Sequence, residues 1–193
     1  MNLPTKITIT RLLLIPIFIV LFLIDFTYHQ IIATAIFIVA SLTDWLDGHI
    51  ARKYNMVTTL GKFLDPVADK VLVATALILA TSLTTEISAY STVVLVCSVI
   101  IIARELIITC FRTIAATKNV ILAADKIGKA KTATQLVGLI FYLPFEEITM
   151  LNATVGQVFF YIGFACLMLA TILTLVSALN YIIKNRGVLK DNE

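Results

Sequence analysis

Six stretches of the chain are apolar at nearly every position, and short polar segments separate them. They run from Leu12 to Ile24, from about Ile31 to Thr43, from Val71 to Thr85, from Ile87 past Ala103, from Thr132 to Phe145, and within 148–183. Continuous apolar runs of this kind read as transmembrane helices. The connections near Asp25–Gln30, at Glu86 and at Glu146–Glu147 carry no Lys or Arg. All 15 Lys and Arg fall at the N-terminus, after the second stretch, between the fourth and fifth, or at the C-terminus. An even number of spans puts both termini on one face, and the positive charge marks that face as cytoplasmic. The pattern predicts an all-α, polytopic membrane protein with six transmembrane helices and both termini cytoplasmic. Ahead of the first span, Leu3, Ile7 and Leu14 share one helical face, which predicts a short N-terminal interfacial helix. No small-residue cleavage pattern follows Ile24, where the chain reads Asp25-Phe26-Thr27-Tyr28, so the first helix is read as uncleaved.

Composition agrees. The chain has 193 residues, of which 60% are hydrophobic and 14% charged, with a mean hydropathy of +0.99. A soluble domain runs at about 45–50% apolar and about 25% charged. A soluble globular protein, a disordered chain and a nucleic-acid-binding domain are thereby excluded. No linker, repeat or low-complexity tract divides the chain, so residues 1–193 are read as a single transmembrane domain. Cys97, Cys110 and Cys166 are an odd count without ligand spacing, which argues against a disulfide framework or a zinc site.

Charge changes the picture where it enters the spans. Several apolar runs hold only about 13 to 15 residues, too few for a bilayer core of about 30 Å. They reach spanning length only by including charged residues at their cytoplasmic ends. The second helix must include Asp44, Asp47 and Arg52. The third takes in Asp65, Asp69 and Lys70, the fourth Arg104 and Arg112, and the fifth Lys129 and Lys131. Ionisable groups at membrane depth are expensive and normally face a polar cavity, where they pair with one another. A charged cavity open to the cytoplasm, with helices two to five around it, follows. At about 100° per residue, Asp44, Asp47, Gly48, Ala51 and Arg52 lie within roughly 140° of one helical face, and Gly61, Asp65 and Asp69 within about 80° of the next. Four carboxylates facing one another in a low dielectric call for cations. Oxygen ligands favour one or two hard divalent ions, Mg²⁺ or Mn²⁺. Two such ions suit phosphoryl transfer, because they offset the charge of a pyrophosphate.

The stretch from Asp44 to Asp69 reads D-x2-D-G-x2-A-R-x8-G-x3-D-x3-D, with fixed residues Asp44, Asp47, Gly48, Ala51, Arg52, Gly61, Asp65 and Asp69. It resembles the signature of the CDP-alcohol phosphatidyltransferases at every fixed position and spacing. Asn2-Leu3-Pro4, Thr8-x2-Arg11, Leu64-Asp65-Pro66-Val67-Ala68-Asp69-Lys70, Ala103-Arg104-Glu105-Leu106 with Arg112, and Gly128-Lys129-Ala130-Lys131-Thr132 resemble the bacterial branch that uses glycerol 3-phosphate as acceptor. Thr5 departs from that branch, which commonly has Asn there, and receives no role. The resemblance implies that Asp44, Asp47 and Asp65 hold two Mg²⁺ or Mn²⁺ ions. It makes Asp69 the catalytic base, which also touches the metal centre. It implies a CDP-diacylglycerol site at Gly48, Arg52 and Thr58, with Thr8 nearby, a homodimer, membrane lipids as surroundings, and a bacterial cytoplasmic membrane with the site facing the cytoplasm.

The acceptor, glycerol 3-phosphate, is a small dianion and needs cations beyond the metal centre. Arg104, Arg112, Lys129 and Lys131 are the unclaimed cations nearest the cavity, and arginine's planar fork matches phosphate. Glu105 reads as a structural partner to one of them, His29 and His49 as interfacial or loop residues, and Trp45 and the tyrosines as interface or packing residues. Cardiolipin, phosphatidylserine and phosphatidylinositol-type synthases share the signature and remain alternatives. An intramembrane prenyltransferase would not explain Gly48, Ala51, Arg52 and Gly61. A transporter with an acidic pathway would need polar groups through both halves of the membrane.

Overall fold

The computed structural model describes the backbone of residues 3–54, 59–83, 88–117 and 126–185, and the side chains of residues 8–43, 67–83, 89–115 and 127–185. Among the described residues there are seven helices and no strand: α1 (Leu3–Leu23), α2 (His29–Tyr54), α3 (Thr59–Ala80), α4 (Ser88–Thr117), α5 (Lys126–Tyr142), α6 (Phe145–Leu151) and α7 (Ala153–Lys184). The six longer ones match the six apolar stretches. Among the described residues two segments, Ala89–Ala115 and Ala153–Lys184, are long and apolar enough to cross a membrane, while Thr8–Leu23 and His29–Thr43 are shorter apolar segments. On α7, Leu169, Ile172, Leu175, Leu179 and Ile183 are exposed. Such a face is a liability in water and the expected surface of an integral membrane protein in lipid.

At the N-terminus the helix has no break. The interfacial segment and the first span are one continuous helix, α1. Thr8, Arg11, Ile15, Phe18 and Phe22 are all buried. Their spacing of three and four residues makes one stripe on an α-helix. From Thr8 onward, the polar turn at Thr8 and Arg11 continues the same inward face as the apolar turns after it. α1 packs on α2 and α3, with Phe18 and Phe37 ring centroids 5.8 Å apart.

α5 and α7 form the most extensive helix pair. Glycine permits the contact: a Cβ on Gly163 would sit 2.7 Å from the Tyr142 backbone nitrogen, and one on Gly138 would sit 3.1 Å from that of Leu167. Small residues allow helix backbones to approach this closely in membranes. Here they join two helices of one chain.

Contacts between helix ends set their directions. The start of α2 meets α6, through Gln30 Nε2 donating to Glu146 Oε2 at 3.1 Å and Ile31 N donating to Glu147 Oε2 at 3.0 Å. The start of α4 lies at this end as well, with Tyr90 edge-on to Phe160 and Phe164 of α7. At the other end Arg104 and Arg112 of α4 reach Ser177 and Tyr181 of α7. Two connections free of Lys and Arg thus share one end of the bundle, and the intramembrane cations gather toward the other.

Candidate active site

Toward that second end, α3, α4 and α5 enclose a cleft of about 160 Å³. Its charged lining consists of Asp69 and Lys70 from α3, Glu105 from α4 and Lys131 from α5. These positions follow from the helical repeat. The buried stripe of α3 includes Ala68, Leu72, Ala76 and Ala80, and it leaves Asp69 and Lys70 half-buried beside it. On α5, Lys131 and Gln135 are four residues apart and share a face.

Glu105 organises the cluster. Its Oε1 accepts from Arg104 Nη1 at 3.0 Å and also from Lys131 Nζ. Arg104 Nη2 donates to Ser177 Oγ of α7 at 2.8 Å, so the guanidinium bridges the carboxylate and the last helix. Lys70 Nζ donates to Thr109 Oγ1, whose hydroxyl donates to the Glu105 carbonyl at 2.6 Å. Asp69 lies close enough for its charge to act on the Lys131 ammonium. Lys131 is only 3% exposed, and a buried ammonium survives only with such partners. Among the described residues the cleft's own lining balances, Lys70 and Lys131 against Asp69 and Glu105, and Arg104 behind Glu105 adds one positive charge. Arg104 Nε is a further buried donor without a hydrogen-bond partner among the described residues. The arrangement is suited to an anion.

Arg112 lies two turns beyond Arg104. Its Nε donates to Tyr181 Oη at 3.2 Å, and its guanidinium carbon lies 5.4 Å from the centre of that ring, within cation–π range. Arg112 does not line the cleft. Lys129 is exposed: two residues from Lys131 is about 200° around the helix, so both cannot face one cleft. Thr8 is fully buried on α1, one turn before the buried Arg11.

The side chains of Asp44, Asp47, Gly48, Arg52 and Asp65 lie outside the described residues, although α2 and α3 carry these positions on regular helix. Thr58 lies outside the described residues altogether. Among the described residues no three His, Cys, Asp or Glu side chains converge to hold a metal. Asp69, an oxygen donor lining the cleft, fits a site for a hard divalent ion.

Three contributors escaped sequence reading. Ser177 and Tyr181 belong to the last helix, which the motifs do not reach; of the interface and packing roles expected of the tyrosines, Tyr181 takes packing, 4% exposed against Phe111 and Arg112. Gln135 lines the cleft from an apolar run with no motif to mark it. The expectation for Glu105 as the cations' partner agrees with its two hydrogen bonds.

Comparison with known proteins adds the family. A family model described as CDP-alcohol phosphatidyltransferase matches residues 1–182. The chain is 40% identical over 192 residues to a protein of Salmonella typhimurium (strain LT2), covering 98% of each chain. The same identity and coverage hold for proteins of Shigella flexneri and of Escherichia coli (strain K12). All three relatives carry the name CDP-diacylglycerol–glycerol-3-phosphate 3-phosphatidyltransferase. With the family model spanning nearly its whole length, this chain belongs to the CDP-alcohol phosphatidyltransferase family.

Proposed function

We propose that the chain transfers the phosphatidyl group of CDP-diacylglycerol to glycerol 3-phosphate, giving phosphatidylglycerophosphate and CMP, as a step of phospholipid biosynthesis. The relatives' shared name over 98% of both chains supports the reaction. The single observation that carries the acceptor is the convergence of Arg104 and Lys131 on Glu105 beside Asp69. Two ammonium groups on the cleft wall, with a guanidinium behind Glu105 and a carboxylate beside them, suit an acceptor that is a phosphate at one end and an alcohol at the other.

In this reading Asp69 takes the proton of the acceptor's primary hydroxyl. That oxygen attacks the phosphorus bearing the diacylglycerol. The bond from that phosphorus to the bridging oxygen breaks, and CMP leaves with the electron pair. Lys131 and Arg104 bind the acceptor phosphate, with Arg112 farther along α4, while Glu105, Ser177 and Tyr181 hold the cations in place. Lys129 contributes from the exposed side of α5 as a long-range charge only. Gly48, Arg52 and Thr58 bind the nucleotide, with Thr8 close by. Asp44, Asp47, Asp65 and Asp69 would hold two Mg²⁺ or Mn²⁺ ions. When bound, such ions offset the pyrophosphate's charge and polarise the leaving oxygen. The enzyme sits in the bacterial cytoplasmic membrane as a homodimer, with termini and cleft on the cytoplasmic side. The positive charge at the cleft's end of the bundle supports this orientation.

The test is an acceptor screen with CDP-diacylglycerol, read as CMP release. Glycerol 3-phosphate should be strongly preferred over serine, inositol and phosphatidylglycerol. Losing a charged hydrogen-bond partner costs on the order of 2–5 kcal/mol, or roughly 30-fold to several-thousand-fold in rate at 1.4 kcal/mol per decade. Equal turnover with an uncharged acceptor overturns the reading.

A further inference from the structure

Gln135 is 2% exposed, yet it lines the cleft, and its Nε2 has no hydrogen-bond partner among the described residues. Around it the wall is apolar, with Leu77 and Ile101 both buried. A buried amide left without a partner is costly, and a polar group in such a wall is placed there for what enters. Gln135 stands one helical turn beyond Lys131, about 6 Å along α5. The cleft of about 160 Å³ is on the order of ten times the space that a single water needs. It fits a small polyol phosphate, and a two-chain lipid does not fit inside it.

We propose that Gln135 is the specificity-determining contact for the uncharged part of the acceptor, its carboxamide holding the secondary hydroxyl between the phosphate-bearing carbon and the reacting carbon. The proposal rests on the reading that the acceptor is glycerol 3-phosphate. With the phosphate at Lys131, a three-carbon acceptor extends along the cleft to the level of Gln135. A hydroxyl both donates and accepts, so it satisfies the amide in either orientation. An ester carbonyl of the donor lipid is the other oxygen within chemical reason. It would also accept from Nε2, but it belongs to a molecule too large for the cleft.

The test uses the full chain in detergent with CDP-diacylglycerol and Mg²⁺, reading CMP release. Two acceptors are compared in each preparation: glycerol 3-phosphate and 3-hydroxypropyl phosphate, which lacks the secondary hydroxyl. The wild type should favour glycerol 3-phosphate by about tenfold or more in kcat/KM. Gln135→Leu, similar in size and apolar, should bring that ratio close to one. The ratio is taken within one preparation, so the folded fraction cancels. The KM for CDP-diacylglycerol should stay within about twofold. An unchanged ratio in Gln135→Leu, or no discrimination by the wild type, overturns the proposal. So does a variant that instead alters the preference between ester-linked and ether-linked CDP-lipids, which would assign Gln135 to the lipid. A wild type that releases no CMP with glycerol 3-phosphate removes the underlying reading together with this one.

Discussion

At one end of the bundle, Glu147 accepts from the Ile31 amide at 3.0 Å and lies 3.5 Å from His29, and Glu146 accepts from Gln30 at 3.1 Å. At the other end, Glu105 holds Arg104 and Lys131. Both ends bury carboxylates beside nitrogen groups, and both are hollow. The hollow at the first end is the larger, about 500 Å³ against about 160 Å³. Size therefore does not identify the site. At the first end Glu147 caps the start of α2, His29 Nδ1 donates to the Phe22 carbonyl at 2.9 Å, and the acids tie a connection to α6. At the second end, among the described residues, the cations outnumber the acids, and buried donors on Arg104 and Gln135 lack partners. The first end is a clasp; the second is built to receive an anion and a hydroxyl.

The contrast breaks most sharply at the motif carboxylates. Asp65→Ala should abolish CMP release, and chelation with EDTA should stop the wild type until Mg²⁺ or Mn²⁺ is restored. Full turnover in EDTA would sink the metal assignment. Asp69→Asn keeps the shape and loses the base. Its turnover should fall by roughly 10²-fold or more, with CDP-diacylglycerol binding retained in a direct binding measurement. At the clasp, Glu147→Ala should leave kcat and both KM values within about twofold.

A narrower comparison sets the cations against one another. Lys131→Met should raise the KM for glycerol 3-phosphate far more than Lys129→Met, because only Lys131 lines the cleft. Arg112→Lys should recover part of what Arg112→Ala loses, since the charge returns without the planar fork that meets Tyr181. Equal effects at Lys129 and Lys131 would show that a diffuse field, rather than a built site, attracts the acceptor.

Stability should separate the ends in the reverse sense. Glu105→Ala leaves Lys131 buried without its hydrogen-bonded carboxylate, with Asp69 as its remaining counter-charge. Removing one partner of a buried pair costs about 3–5 kcal/mol, and an exposed pair about 1. Lys131 is 3% exposed, which places the loss nearer the first figure, read as a lower midpoint of thermal unfolding. Glu147→Ala removes a helix-start cap and should cost about 1 kcal/mol. A larger loss at Glu147 than at Glu105 would mean that the clasp, and not the ion cluster, holds the bundle together.

What was legible in the sequence was whatever carries spacing. The six apolar stretches became six long helices, and the basic residues within them gather toward one end, because membrane length and charge cost leave little freedom. Arg104, Glu105 and Lys131 stood out because charge inside an apolar run is rare. Ser177, Tyr181 and Gln135 did not, since one neutral polar residue among apolar neighbours has no period and no cost until its surroundings are known. The inward face of α1 was hidden for a related reason. The buried stripe runs through Thr8 and Arg11, two polar residues that no apolar period marks, and packing against α2 and α3 selects it. Glu146 and Glu147 read as an acidic connection, and their short helix and their grip on α2 come from tertiary contacts far apart in sequence.

The smallest expected effect is at Glu146, which lies on α6 outside the spanning helices. Burial pushes its carboxyl above the ordinary carboxylate range, and this outweighs the Gln30 hydrogen bond and nearby His29, which both pull it down. A group whose folded pKa is raised binds more protons in the folded state than in the unfolded state between the two pKa values. Stability then falls as pH rises through that interval. The penalty is complete once pH exceeds the folded value, and it is relieved as pH falls back toward the ordinary carboxylate range. Glu146→Gln keeps an oxygen to accept from Gln30 and removes the charge. The variant should be slightly more stable than the wild type at neutral pH, and the two should converge as the medium is acidified toward the ordinary carboxylate value. Thermal unfolding in detergent across that range reads the difference. A gap that widens on acidification would show that the Glu146 carboxylate is held by its partners and not penalised by burial. The first end of the bundle would then be an ionic cluster like the second, and not a clasp made chiefly of hydrogen bonds to backbone and amide.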